Sequence, residues 1–148
     1  MATPSFSFGV LKPDCVQRGL VEQAFTLIAE RGLKVVLRKK VILSMVDAAF
    51  LYRRLTENDF FPYLVDFMTS AEVVLFVVQS QNDNAIHELN SVTGHTDPAL
   101  AKPKTLRSMG KNVRHNISHS SSDEATARED YLYFFSKKEL RTVGLAKF

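Results

Sequence analysis

From Val73 to Val78 the chain is apolar without interruption, Val-Val-Leu-Phe-Val-Val, bounded by Glu72 and Gln79. A run this short and this rich in β-branched residues reads as a strand. Because it offers no polar side chain to either face, it belongs in the middle of a sheet that is covered on both sides. The rest of the chain must then supply flanking strands and two covering layers.

Ser5 to Leu11 alternates and then turns apolar, as a half-buried strand does. It ends at Lys12-Pro13-Asp14, since proline removes a backbone donor and holds the residue before it extended. Leu33 to Leu43 reads as another strand, with basic residues interleaved along a wet face. Leu20, Val21, Ala24, Phe25 and Ile28 fall on one helical face, and Arg31-Gly32 stops that helix. Ser44 caps a helix carrying Met45, Ala49, Leu51 and Tyr52; further helices are expected over Phe60 to Met68, Asn84 to Thr93 and Asp123 to Asp130. Tyr131 to Phe135 reads as the last strand, and Ser136 with Glu139 forms a capping box opening a C-terminal segment. Residues from His95 to Ser118 lack periodicity and form a long loop with a short turn near Leu106, a length that is usually functional or disordered.

The order β-α-β-(αα)-β-α-β predicts an α+β protein with a ferredoxin-like βαββαβ antiparallel sheet and helices packed on it. At 148 residues and 45% hydrophobic content the chain suffices for one core, so residues 1–148 are expected to form a single domain. The net charge of +3 suits anionic ligands such as nucleotides and equally suits weak nucleic-acid contact. One cysteine, Cys15, excludes an intrachain disulfide, and neither a signal peptide nor an apolar span of membrane length is visible; a cytoplasmic location is expected.

Two segments carry chemistry. In Asn116-Ile117-Ser118-His119-Ser120-Ser121-Ser122-Asp123 a histidine stands among small polar residues. With an unperturbed pKa of about 6.5, a neutral imidazole is a competent nucleophile near neutrality. A solvent-exposed histidine in a serine-rich loop is the plainer reading of this segment alone. Lys12, fixed at the tip of the first strand, can serve as a point charge for phosphate, although Lys-Pro-Asp more often marks a turn. No Gly-x-x-x-x-Gly-Lys-Ser/Thr segment is present, so phosphate must be held by side chains.

The ordered series Lys12-Pro13-Asp14, Val16-Gln17-Arg18-Gly19-Leu20-Val21, Tyr52, Phe60-Phe61-Pro62, Gly94-His95-Thr96-Asp97-Pro98, Lys102-Pro103-Lys104-Thr105-Leu106-Arg107 and Asn116 to His119 resembles the nucleoside diphosphate kinase family, over about Phe6 to Glu139. In that family ATP phosphorylates an active-site histidine and a second nucleoside diphosphate takes the phosphoryl group. The resemblance implies His119 as the nucleophile, Lys12 and Arg107 as cationic phosphate contacts, and Tyr52 as a donor near the γ-phosphate. It further implies Thr96 as a hydroxyl contact, Asn116 at the sugar hydroxyls, and Phe60 with Leu64 covering the base without reading its edges, so that base selectivity is expected to be poor. Ser121 would support the histidine, and Asp130 falls where the family places a glutamate that bonds the catalytic ring. Mg²⁺ bound with the nucleotide phosphates is the implied metal, with no protein ligand assigned, and a homo-oligomer, hexameric or tetrameric, is the implied assembly.

The chain departs from the pattern at Asn90, where the family has an arginine, at Lys104 for a glycine, at Ser122 for an aspartate and at Asp130 for glutamate. One residue is also missing between Arg107 and His119. These departures support, as an alternative, a catalytically weakened nucleotide-binding homologue with a regulatory or interaction role. A nucleic-acid-binding module is the other class, and it lacks an aromatic-rich RNA-binding octet or a clustered basic stripe.

Overall fold

The computed structural model describes residues 3–145. Its centre is a four-stranded sheet built from β1 (Ser5–Leu11), β2 (Lys34–Val41), β3 (Val73–Ser80) and β4 (Ser118–Ser120), in the spatial order β2-β3-β1-β4 and antiparallel throughout. The apolar run lies in β3, which is flanked on both sides and buried from Val73 to Val78. Its alternation serves two cores. Val73, Leu75 and Val77 pack on one face with Phe8, Val10, Tyr52, Leu64 and Phe134, while Val74, Phe76 and Val78 pack on the other with Leu11, Ile28, Leu89 and Ile117.

Helices cover both faces. α1 (Pro13–Gln17) and α2 (Val21–Ala29) precede β2; α3 (Met45–Leu51) and α4 (Phe61–Met68) separate β2 from β3; α5 (Ala85–Thr93) follows β3. α6 (Glu124–Phe134) and α7 (Lys137–Thr142) complete the chain. The expected starts are present as capping boxes, Ser44 with Asp47 ahead of α3 and Ser136 with Glu139 ahead of α7. Short 3₁₀ turns at Pro98–Leu100 and Arg107–Met109 punctuate the long loop.

One sequence reading is corrected. Tyr131 to Phe135 is not the last strand: Tyr131 to Phe134 close α6, which Asp123 caps by accepting from the Thr126 N–H at 2.7 Å. Its buried residues Ala127, Asp130, Tyr131 and Phe134 recur at helical spacing, and Phe134 stacks on Phe8. The last strand is β4, whose three residues pair with Gly9 to Leu11. This pairing sets His119 opposite Val10, and paired residues share a face. The histidine therefore faces the α3–α4–α6 side.

Candidate active site

His119, Lys12, Tyr52, Phe60, Leu64, Thr96, Arg107 and Asn116 line one cavity of about 400 Å³, together with Leu55, Tyr63, Val113 and Arg114. β4 delivers the histidine and the end of β1 delivers Lys12. α3 and α4, with the turn between them, supply one wall; the 95–116 loop supplies the other.

The geometry around His119 is set by a tight turn. Ser118 N–H donates to the Asn116 carbonyl at 2.9 Å, and Ile117 between them takes φ +79°, a conformation costing a β-branched residue on the order of 1–3 kcal/mol. Burial of the Ile117 side chain in the core opposes that cost. So does the Lys12-Pro13-Asp14 segment: the Ile117 carbonyl accepts from the Lys12 N–H at 2.8 Å, and Asp14 Oδ2 accepts from the Ile117 N–H at 3.0 Å. Two motifs far apart in sequence thus hold each other in place.

Lys12 is 4% exposed, and its Nζ donates to Asn116 Oδ1 at 2.7 Å. Burial, aided by the neighbouring Arg107 charge, brings its pKa down to about 7 against the opposing pull of Asp14. Arg107 donates from Nε to the Ser118 carbonyl (3.1 Å) and from Nη1 to the Gly94 carbonyl (3.2 Å) and Thr96 Oγ1 (3.5 Å). Asn116 Nδ2 donates to the carbonyls of Thr96 (2.9 Å) and Val113 (3.1 Å), tying the two ends of the loop together. Gly94 is required here: its φ is +90°, and a Cβ would stand 2.8 Å from the Thr105 side chain.

The His119 imidazole makes no hydrogen bond among the described residues, and its ring lies 5.2 Å from that of Tyr52, edge to face. Burial, then the charges of Lys12, Arg107 and Arg53, push its pKa down to about 3, so both its lone-pair nitrogen and its neutral form persist at neutral pH. The Tyr52 hydroxyl is buried and without a hydrogen-bond partner among the described residues, and burial raises its pKa. A donor with unspent capacity is thus available beside the imidazole.

Ser121 and Asp130 lie behind the site and do not line the cavity. Asp130 accepts from Ser121 Oγ at 2.7 Å and from Arg53 Nη1 at 2.8 Å, so its bonds go to these groups and not to the imidazole. No motif pointed to Arg53, which also pairs with Glu129 at 2.7 Å and stacks on Phe50. Asn90 is turned away as well: it lies on α5, across the sheet, where its Oδ1 accepts from Ser120 Oγ at 2.7 Å. Leu55, Tyr63, Val113 and Arg114 were likewise invisible in sequence, because only folding brings their segments together.

The cavity therefore has a cationic end holding a free-base imidazole and an apolar, aromatic end. Such a site, on a two-faced antiparallel α+β sheet, has the charge and lining to suit a ligand with a flat ring and several negative charges. The nucleoside diphosphate kinase family model matches residues 6–140, and the chain belongs to that family. Among its relatives, the nucleoside diphosphate kinase of Trichlorobacter lovleyi is 38% identical over 135 residues, spanning 90% of this chain and 96% of the relative. That of Rickettsia prowazekii is 34% identical over 139 residues, spanning 93% and 98%. Solved structures are similar as well. The Aquifex aeolicus nucleoside diphosphate kinase has a TM-score of 0.87 at 25% identity, covering 93% of this chain and 99% of that one. The halophilic Halobacterium salinarum enzyme, solved in complex with CDP, has a TM-score of 0.85 at 32% identity, covering 91% and 90%.

Proposed function

We propose that this protein is a nucleoside diphosphate kinase that moves the γ-phosphoryl group of ATP to nucleoside diphosphates in two half-reactions, through a phosphohistidine at His119. The observation that carries this reading is the juxtaposition in one cavity of the His119 imidazole with buried Lys12 and with Arg107. In the first half-reaction an imidazole nitrogen attacks the γ-phosphorus, the bond to the β,γ-bridging oxygen breaks, and ADP leaves with that electron pair. In the second, a terminal oxygen of the acceptor diphosphate attacks the same phosphorus and the N–P bond breaks. Lys12 and Arg107 neutralise charge on the transferring group and its neighbours, where fixed positive charge contributes most to phosphoryl transfer. Tyr52 donates its unspent O–H near the γ-phosphate, and Thr96 adds a second hydroxyl. Asn116 binds the sugar, while Phe60 and Leu64 cover the base. Ser121 and Asp130, anchored by Arg53, brace the backbone after His119 as positioning residues.

Mg²⁺ fits this site as part of the nucleotide. The cavity lining holds no carboxylate, and among the described residues no group of three metal-ligating side chains occurs, so phosphate oxygens would hold the ion and none of the chain's own residues would. When bound it would neutralise phosphate charge. The whole chain acts as one unit, and it assembles as a homo-oligomer. The weakened-homologue alternative is not favoured: Asn90 and Ser122 lie outside the cavity lining, and the shortened loop still brings Arg107 and Asn116 into it.

Initial-rate kinetics test the two-step scheme. Double-reciprocal plots against ATP at several fixed concentrations of acceptor should be parallel lines. Intersecting lines would mean that both nucleotides must be bound together, and the scheme would fail.

A further inference from the structure

At the aromatic end of the cavity, α4 and the loop form a clasp that the phosphoryl-transfer scheme does not use. Tyr63 and Phe67, one turn apart on α4, face His115 of the loop; Phe67 and His115 stack with centroids 4.5 Å apart, and the Tyr63 hydroxyl is 2.8 Å from His115 Nε2. The clasp fixes the Tyr63 ring, and the Arg114 guanidinium lies over that ring, 4.6 Å from its centroid. Among the described residues no carboxylate, carbonyl or hydroxyl accepts from the Arg114 side chain; its only hydrogen bond is from the backbone N–H, to Asn112 Oδ1. An arginine held over a ring at the wall of a ligand cavity, with no protein acceptor for its side chain, can offer its planar fork to a ligand.

The acceptors for that fork are not the phosphates. Tyr63 lines the cavity beside Leu64 and lies about one turn from Phe60, the residues assigned to the base. Lys12 and Arg107 hold the other end, beside His119. With the base seated on Phe60 and Leu64 as proposed above, Arg114, at the same wall of the cavity, is placed to meet its edge.

We propose that Arg114 is a specificity-determining residue that selects nucleotides whose base presents paired acceptors, 6-oxopurines above all. The inference rests on the nucleoside diphosphate kinase reading of the same cavity. A guanidinium fork matches the O6 and N7 acceptors of guanine or hypoxanthine, whereas adenine offers N7 beside an N6 amino group, a donor facing a donor. The poor base selectivity expected from Phe60 and Leu64 alone is thereby replaced by a preference of about tenfold, the lower part of the range for one bidentate contact because Arg114 is solvent-exposed.

The test compares kcat/KM for GDP, IDP and ADP as acceptors in the wild-type protein, in Arg114→Gln and Arg114→Lys, and in Lys111→Gln, an exposed charge of the same loop, as control. GDP and IDP should both exceed ADP about tenfold, since hypoxanthine shares O6 and N7 and lacks only the 2-amino group. Arg114→Gln should bring the ratio to one or below, because an amide pairs with adenine N6 and N7; Arg114→Lys, whose ammonium still donates to O6 and N7, should keep part of the preference, and Lys111→Gln should retain it whole. A wild-type ratio near one, or a preference that survives in Arg114→Gln, would overturn the proposal. An equal loss for all three acceptors would also overturn it, by making Arg114 a general charge or a structural group. Equilibrium binding of GDP and ADP to the same proteins separates the two readings. A protein that transfers no phosphoryl group yet binds GDP more tightly through Arg114 would fail the kinase reading and keep the selectivity.

Discussion

His119 and Lys12 each depart from their usual proton affinity, and the two departures act at different stages of turnover. With its pKa near 3, His119 is a free base across the neutral range, so its titration imposes no acid limb there. Lys12 is drawn down to about 7, chiefly by burial. In the free protein it is therefore cationic below that pH and loses charge above it. Bound phosphates favour the ammonium form and raise its pKa in the complex. We expect kcat/KM to fall as pH rises through about 7 while kcat holds to higher pH; stopped assays over about pH 5.5 to 9 would show it. A kcat/KM that instead rises through pH 6.5 would indicate an imidazole with an ordinary pKa. Residue identity told much at this scale: the motifs located His119, Lys12, Arg107 and Asn116, all of which meet in the cavity. The motifs were silent about Arg53, because an ion pair to Asp130, distant in sequence, has no local pattern.

Elements were legible where a single physical signal dominates. The uninterrupted apolar run defined β3, and the side-chain caps at Ser44 and Ser136 marked helix starts. The last strand was not legible. Ser118–Ser120 is short and polar, and it is a strand only because β1 offers an edge, whereas aromatic Tyr131 to Phe135 mimics a strand when the Asp123 cap is given too little weight. The loop between α5 and β4 places Arg107 through the Gly94 carbonyl, so the glycine is the element's weak point. Gly94→Ala would meet Thr105 and force a side chain into positive φ. It should destabilise the protein by about 1–3 kcal/mol and lower kcat/KM through Arg107, as thermal melts and turnover assays would measure. An unchanged melt together with full activity would show that the loop does not depend on this conformation.

At the scale of the whole molecule, the ferredoxin-like arrangement was readable from the element order, but the assembly is not encoded in any one motif. β2 forms an outer edge of the sheet, and beyond its end Ile42, Met45 and Val46 are 66%, 65% and 72% exposed, apolar surface that self-association would cover. The proposed homo-oligomer should show in light scattering as a tetramer or hexamer of the 16.7 kDa chain. A mass equal to one chain at micromolar concentration would contradict it. Among the described residues no helix is long and apolar enough to cross a membrane.

The most direct test of the central claim is to incubate the protein with Mg²⁺ and γ-labelled ATP, look for acid-labile label on the chain, and chase it with an unlabelled nucleoside diphosphate. The account predicts label on the wild-type protein that transfers to the acceptor, and none on His119→Ala. Full turnover by His119→Ala, or nucleotide bound to the wild-type protein with no label formed, would contradict it.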